Sequence, residues 1–283
     1  MYLRAVHAEY DIPTLRAFIR NNPLGIFTTA IESSSYPFIQ SSHIPWLLDV
    51  QDETSDTELG TLRGHMARAN PQAKAIIESL TREGAEGSHQ GNNDTRGTRR
   101  TPNKLEKDVM VLFNAPVHHY VTPKFYKETK PSTGKVVPTW DYAAVQVYGK
   151  ATIYFDHTSA DAPTTSAYLM RQVSDLSQYS ETQIMGYDND SDNDNDKEKE
   201  KEKAWQVSDA PSSYVELLLK AIIGVEIEIV SMAGKFKMNQ ESTRADREGV
   251  IEGFLKMGSE DAVRMAEFVK ARGELADSRK KVA

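Results

Sequence analysis

The feature that most constrains the fold is a segment of regular alternation in the middle of the chain, residues 143–155. Val145, Val147, Ile153 and Phe155 alternate there with polar residues such as Lys150. A period of two places the apolar side chains on one face of a β-strand and the polar side chains on the other. We therefore predict a long strand with one buried face.

Shorter apolar segments predict further strands, at 24–31, 37–48, 59–67, 109–113 and 225–229. Capping residues and apolar periodicity predict helices at 11–20, from 70, at 165–184, from 208 or 209, at 243–256 and at 260–272. Strands that cluster early in the chain, with helices around them, favour an α+β fold built on a closed or nearly closed antiparallel barrel.

Two polar segments are too poor in apolar residues to join a packed core. We predict flexible insertions at about 83–103 and 186–203 within a single domain over 1–283, with a helical carboxyl-terminal part from about 208. Residues 188–203 contain five Asp, three Glu and four Lys. These residues lack the glycine and glutamate that a calcium-binding loop needs at its sixth and twelfth positions, so no metal site is predicted.

Charge and composition bear on partners and compartment. The net charge of −7 includes −4 from residues 188–203, and the nearly neutral remainder shows no helix-turn-helix pattern, which does not favour nucleic-acid binding. The chain has no cysteine. No apolar run approaches the ~18 residues of a membrane span, and no secretory leader is evident. We expect a protein of the cytoplasm, and the nucleus is compatible with the same features.

The usual strings for dinucleotide, nucleoside triphosphate, serine hydrolase and zinc protease sites are missing from this chain. Polar residues instead follow apolar strands in a few dense strings. Arg63 and His65 share a strand face, and Arg68 precedes a helix amino terminus, an arrangement that suits a phosphate. Pairing of both arginines with carboxylates is the alternative, and composition alone favours it.

A second string places Thr139 beside Trp140, a hydrogen-bonding group beside an aromatic plane. Such a pair can hold a flat heteroaromatic ring, although a tryptophan within a strand is more often part of the core. Tyr142 and His43 are candidate proton donors, but no spacing argument singles out either one. The catalytic residues therefore stay unknown at this point.

Several strings, in order, resemble those of the PaiB-like family (transcriptional regulator PAI 2-type), a branch of the FMN-binding split-barrel superfamily. They include Ser-His-Ile-Pro at 42–45, GTLRGHMARANP at 60–71, GKVVPTWDY at 134–142 and GKFKMNQ at 234–240. The resemblance covers nearly all of the chain except the two predicted insertions.

The resemblance implies a six-stranded antiparallel split β-barrel with surrounding helices, which dimerises and holds FMN in a groove between its subunits. Carried over residue by residue, it gives these cofactor-binding candidates: Ser42, His43, Arg63, His65, Arg68, Thr139, Trp140, Lys237 and Gln240.

The leading functional hypothesis is an FMN-dependent oxidoreductase that acts as a homodimer, because a flavin carries the redox chemistry itself and needs no catalytic triad. A PaiB-type transcriptional regulator, with flavin as a sensor or without it, is one alternative. A haem-binding or haem-degrading protein is another, which would need an axial histidine. The sequence identifies neither the substrate nor the electron donor.

Overall fold

A computed structural model describes residues 1–87, 103–187 and 203–282. The strands are β1 (Ala8–Glu9), β2 (Leu24–Ala30), β3 (Ile39–Asp49), β4 (Thr61–Ala67), β5 (Val109–Asn114), β6 (His119–Val121), β7 (Thr139–Tyr154) and β8 (Ile222–Lys237). The helices are α1 (Ile12–Asn21), α2 (Pro71–Gly87), α3 (Thr129–Thr133), α4 (Ala162–Tyr179), α5 (Ser212–Lys220), α6 (Arg244–Met257) and α7 (Glu260–Val282).

The described strands form one antiparallel sheet in the order β1-β8-β4-β3-β2-β5-β7-β6. β7 also pairs with β8, so the pairings of β8, β4, β3, β2, β5 and β7 close into a ring. The predicted α+β class with a large antiparallel sheet is confirmed. The described sheet has eight strands rather than six, because β1 and β6 add two short strands that periodicity could not reveal.

The inward side of the ring contains the core. Val145, Val147 and Ile153 of β7 are completely buried, as the alternating pattern predicts. Trp46 of β3 fills the space above Gly64, where a Cβ atom would lie 2.9 Å from its ring. Gly64 is therefore required so that the ring of Trp46 can pack against the backbone of β4. The ring that approaches this glycine is thus a side chain of the protein and not a ligand.

The two predicted insertions lie mostly outside the described residues. Residues 83–87, expected in the first insertion, continue helix α2 instead, and residues 88–102 are not described. Residues 188–202 of the second insertion are likewise outside the described part. The predicted helix at 260–272 is also longer than expected, since α7 reaches Val282. None of the described helices has the length and apolar character needed to cross a membrane.

Candidate functional site

One outward side of the sheet keeps its side chains accessible. His43 of β3 lies opposite Ile26 of β2, which lies opposite Leu112 of β5, which in turn lies opposite Gln146 of β7. Opposite residues of antiparallel strands share a face, and the neighbouring Phe27 belongs to the core. These four side chains therefore point outward; His43 is exposed and the other three are half-buried. We call this row of four residues the open face.

His43 and Ser42, both predicted to bind cofactor, point in different directions because they are adjacent on a strand. The His43 ring has no hydrogen-bond partner among the described residues. The Ser42 hydroxyl accepts a hydrogen bond of 2.9 Å from Asn70 Nδ2, and Asn70 Oδ1 accepts one from the backbone N–H of Gln72 at the start of α2. Ser42 thus fixes β3 to α2, and His43 alone is presented on the open face.

A groove of about 450 Å³ lies at the end of β7 beside the connection from β5 to β6. Its lining is Asn114, Ala115, Pro116, His118, Trp140, Tyr142 and Ala143, and we call it the aromatic groove. The Trp140 side chain is 53% exposed, with ring centroids of His118 and Tyr120 at 5.9 Å and 6.1 Å. These distances are typical of interacting aromatic rings, so Trp140 is held in place while much of its surface faces solvent.

Two lysines of β8 stand beside this groove. Lys237 Nζ donates to Thr139 Oγ1 and to the Trp140 carbonyl oxygen, the latter at 2.8 Å. Lys235 Nζ lies 5.4 Å from the centroid of the Tyr142 ring, within the range of a cation–π contact. The structure therefore brings together three of the predicted residues, Thr139, Trp140 and Lys237.

Gln240, also predicted from the sequence, has a structural part in the turn after β8. It is 4% exposed, its Oε1 accepts from the backbone N–H of Met238 at 2.7 Å, and its Nε2 donates to the Phe236 carbonyl oxygen. Both polar ends of the side chain are satisfied by the chain itself. Gln240 shapes the turn and does not reach the aromatic groove's described lining.

Asp141 is a buried carboxyl group behind the groove that the sequence analysis did not single out. It has no exposed surface, accepts a hydrogen bond of 2.6 Å from Asn239 Nδ2, and lies 4.0 Å from Lys237 Nζ. Its Oδ1 has no hydrogen-bond partner in the described part of the chain. Burial raises the pKa of Asp141 to about 7, against the lowering effect of Lys237. The sequence did contain a signal for it, because Asp141 continues the alternation of Ala143 and Val145 and so is an acidic residue at an inward-facing strand position.

Arg63 lies beneath α4 and is 4% exposed. Its Nε and Nη2 bond both oxygens of Asp49, at 2.5 Å and 3.0 Å, and Nη2 also bonds Asp175 at 2.9 Å. Nη1 donates to Gln172 Oε1 at 3.2 Å. These are the contacts of the carboxylate-pairing alternative, and they direct the guanidinium into the chain.

Arg68 is bonded to the backbone of the chain, whereas His65 lies on the outward side of β4 and its Nδ1 has no hydrogen-bond partner in the described part of the chain. Arg68 Nε donates to the Lys220 carbonyl oxygen at 3.2 Å, and its Nη2 donates to that of Phe155. His65 is half-buried on the same face of β4 as Arg63, and burial lowers its pKa. Arg63 lies opposite Leu47 of β3, which shares a face with His43, so Arg63 and His65 are on the outward side of the sheet that presents His43, but α4 covers Arg63.

His43 and the aromatic groove lie on different sides of the ring of strands. β3, which carries His43, and β7, which carries Trp140, are three positions apart in either direction around the six strands of the ring. The two outward side chains therefore face away from opposite sides of the ring, and one tricyclic ring cannot contact both. No group of three or more potential metal ligands occurs in residues 1–87, 103–187 and 203–282.

Comparisons with known proteins match much of the chain. A protein-family model described as "Putative FMN-binding domain" matches residues 1–231, which include β1 to β7 and most of β8. An uncharacterised protein of Aspergillus fumigatus is 53% identical over 284 residues, covering 99% of this chain and 100% of that protein. "Protease synthase and sporulation protein PAI 2" of Bacillus subtilis is 26% identical over 164 residues, covering 58% of this chain and 63% of that protein. Among solved structures, the flavocytochrome Anf3 of Azotobacter vinelandii has 12% identity and a TM-score of 0.39, with 83% of this chain and 72% of that chain covered.

Proposed function

Because this chain belongs to the family described as "Putative FMN-binding domain", we propose that it is a homodimer which holds FMN between its two copies and serves as an FMN-dependent oxidoreductase. The family match confirms the resemblance that the sequence strings predicted, and FMN is the cofactor it assigns. The dimer, the redox activity and the closed six-stranded split barrel are the further parts of the proposal.

The single observation that carries the dimer is the placement of two accessible groups on opposite sides of the ring of strands. His43 lies on β3 and Trp140 on β7, which are three positions apart in either direction around the ring, so one chain cannot bring both side chains to one flavin. In a dimer with a two-fold axis, a patch of the first copy that meets a different patch of the second copy is matched by the same contact with the two copies exchanged. His43 of one copy can then meet Trp140 of the other, and two equivalent sites result.

The residues of the aromatic groove suit a flavin. The half-exposed Trp140 offers a flat aromatic face for the ring, and the Lys235 ammonium beside the groove would pair with the phosphate. Lys237 is bonded to Thr139 and to the Trp140 carbonyl oxygen and would contribute positive charge there without a direct contact. His43, whose ring is unpartnered among the described residues, can hydrogen-bond a polar edge of the ring. Burial between two copies excludes water from these contacts and strengthens them.

Bound FMN supplies hydride and electron transfer at its ring, so the chain's own groups bind, orient and shield it. We leave Arg63 and Gln240 out of the proposed contacts because their polar groups are bonded within the chain. Arg68 is left out because its guanidinium donates to two backbone carbonyl oxygens. His65 stays a candidate contact, since it lies on the outward side with His43 and its Nδ1 has no partner in the described residues. In the described residues, no specific feature favours transcriptional regulation or haem binding.

The test is a titration of the purified full chain with FMN, followed by flavin fluorescence, together with the mass of the complex in solution. We expect one FMN per chain and a dimer. Trp140→Leu should weaken FMN binding about tenfold or more, from lost stacking and apolar contact.

The matched control is Trp205→Leu, since Trp205 is 47% exposed but lies beside Glu181, away from the groove. That variant should bind FMN like the unaltered chain. A chain that binds no FMN, or equal losses in both variants, would contradict the proposal.

A further inference from the structure

We propose that Asp141 is a positioning residue of the FMN site, and that its proton determines how much positive charge Lys237 presents to the phosphate. The inference rests on the proposed function and adds to it a regulation of the same site. It is argued from a buried carboxyl group that the proposed flavin contacts do not use.

The Asp141 carboxyl group lies where its ionised form is poorly satisfied. It has no exposed surface, and its Oδ2 accepts a hydrogen bond of 2.6 Å from Asn239 Nδ2. Its Oδ1 has no hydrogen-bond partner in residues 1–87, 103–187 and 203–282. A buried carboxylate needs donors at both oxygens, whereas the protonated group needs fewer, so these surroundings favour the neutral form.

Lys237 connects this carboxyl group to the aromatic groove. Its Nζ lies 4.0 Å from Asp141 Oδ1, which is beyond the usual length of a hydrogen bond. The ammonium donates instead to Thr139 Oγ1 and to the carbonyl oxygen of Trp140, whose side chain lines the groove. These two bonds hold the ammonium beside the groove in either state of Asp141. The Lys237 side chain is only 18% exposed, so water screens its charge incompletely.

The proton on Asp141 changes the charge behind the groove by one unit. With Asp141 neutral, the charge of Lys237 is uncompensated and adds to that of Lys235. With Asp141 ionised, the carboxylate and the Lys237 ammonium together carry no net charge, and they attract a nearby phosphate less. FMN should therefore bind more tightly to the protonated form, and bound FMN should in turn favour the proton on Asp141.

Apart from the lysine, titratable groups of the neighbouring elements face Asp141: His119 opposite it on β6, Tyr126 after β6, and Glu241 after β8, which is bonded to His7. Burial raises the pKa of Tyr126 to about 12, so this group stays neutral. Burial acts to raise the pKa of Glu241, but the hydrogen bond from His7 and nearby positive charges lower it overall, so this group stays ionised. The two histidines are common to the unaltered chain and to a variant at Asp141, so a ratio of affinities cancels their own titration.

The test is an FMN titration of the unaltered chain and of Asp141→Asn between about pH 5.5 and 8.5. Asparagine has the shape of the neutral carboxyl group and can still accept the bond from Asn239. At the lower pH the two proteins should bind FMN equally. At the higher pH Asp141 is ionised, and the unaltered chain should bind FMN about threefold to tenfold more weakly than the variant. The titration of the FMN phosphate cancels in this ratio.

Asp246→Asn is the matched control, because Asp246 is also buried, at 3% exposure. Burial acts to raise its pKa, but hydrogen bonds from Thr129 and from the backbone N–H of Glu128 lower it overall, so Asp246 stays ionised over the whole range. The ratio of FMN affinities between this variant and the unaltered chain should therefore be the same at every pH.

A second measurement follows Asp141 in the unaltered chain, and it applies even if Asp141→Asn does not fold. Carbon NMR of the aspartate carboxyl groups should show an Asp141 pKa of about 7 without FMN. This pKa should rise by about half to one pH unit when FMN is bound, as linkage with a threefold to tenfold change in affinity requires.

Two results would overturn the inference: a ratio between the unaltered chain and Asp141→Asn that stays constant with pH, or an Asp141 pKa that FMN leaves unchanged. A purely structural role of Asp141 predicts both. If the chain binds no FMN at any pH, the proposed function itself fails, whereas FMN binding with a constant ratio refutes this inference alone.

Discussion

Replacement of Arg63 by methionine should destabilise the protein and leave FMN binding intact. Methionine has no charge and roughly fills the space of the aliphatic part of the arginine. The substitution removes the bonds to Asp49 and Asp175 and the weaker bond to Gln172. The substitution therefore distinguishes a structural role of Arg63 from the phosphate-binding role that its sequence context suggested.

The expected magnitude follows from exposure. Breaking a fully buried ion pair costs about 3–5 kcal/mol, since a charge is left without compensation. Here the arginine side chain is 5% exposed, but those of Asp49 and Asp175 are 39% and 43% exposed, so water can solvate the remaining carboxylates. We therefore expect a loss of about 2 kcal/mol in unfolding free energy. With the usual unfolding entropy per residue, this lowers the Tm by about 3 °C.

The assay combines thermal unfolding of the flavin-free chain with an FMN titration. Arg171→Met is the matched control, because Arg171 contacts Asp49 and Asp175 at 3.4 Å each but is 64% exposed. Its loss should cost less than about 0.5 kcal/mol. The reasoning would be refuted if Arg63→Met kept its Tm and lost FMN affinity tenfold or more, since the guanidinium would then serve the phosphate.

Three further substitutions test the buried carboxyl group behind the groove and the packing of the carboxyl-terminal helices. Burial raises the pKa of Asp141 from 3.8 to about 7. Between these two pH values the folded state retains a proton that the unfolded state has released. The unfolding free energy therefore falls as pH rises from about 4 to 7, by up to ~1.4 kcal/mol per pH unit. Asp141→Asn removes this dependence. If the unfolding free energies of the variant and the unaltered chain change in parallel between pH 5 and 8, the assignment is contradicted. Gly249→Ala should cost about 1–3 kcal/mol in chemical denaturation, because the new methyl group meets the backbone carbonyl of Phe125. Gly273→Ala, whose methyl group meets the side chain of Arg247 at 2.9 Å rather than a backbone atom, should cost less than Gly249→Ala, and equal effects would show that backbone contact is not the cause.

Periodicity revealed most strands but not their full lengths. The strand expected at 225–229 is β8, which runs from Ile222 to Lys237. Its alternation is broken at Val230 and Ser231, two consecutive exposed residues, where Val230 is left without a partner opposite Tyr148 and Gly149. A bulge of this kind shifts the period by one residue, so the second half of the strand does not continue the first pattern.

The candidate site was predicted in part because some of its residues are neighbours in sequence and others are not. Thr139, Trp140 and Lys237 meet because β7 and β8 pair there. The partners of Arg63 could not be identified from the sequence, since Gln172 and Asp175 lie 109 and 112 residues away on a helix whose docking no local pattern specifies. Long-range polar pairs of this kind need the three-dimensional structure.

The most direct test of a site shared between two copies is the mixing of two defective variants. His43→Ala and Trp140→Ala should each bind FMN weakly alone. After unfolding and refolding together, half of the dimers are mixed, and each mixed dimer has one intact site, so about one quarter of the tight FMN sites should return. Recovery of that fraction is the result that a shared site predicts. If mixing restores no tight binding, FMN is not held between His43 of one copy and Trp140 of the other, and the central claim is wrong.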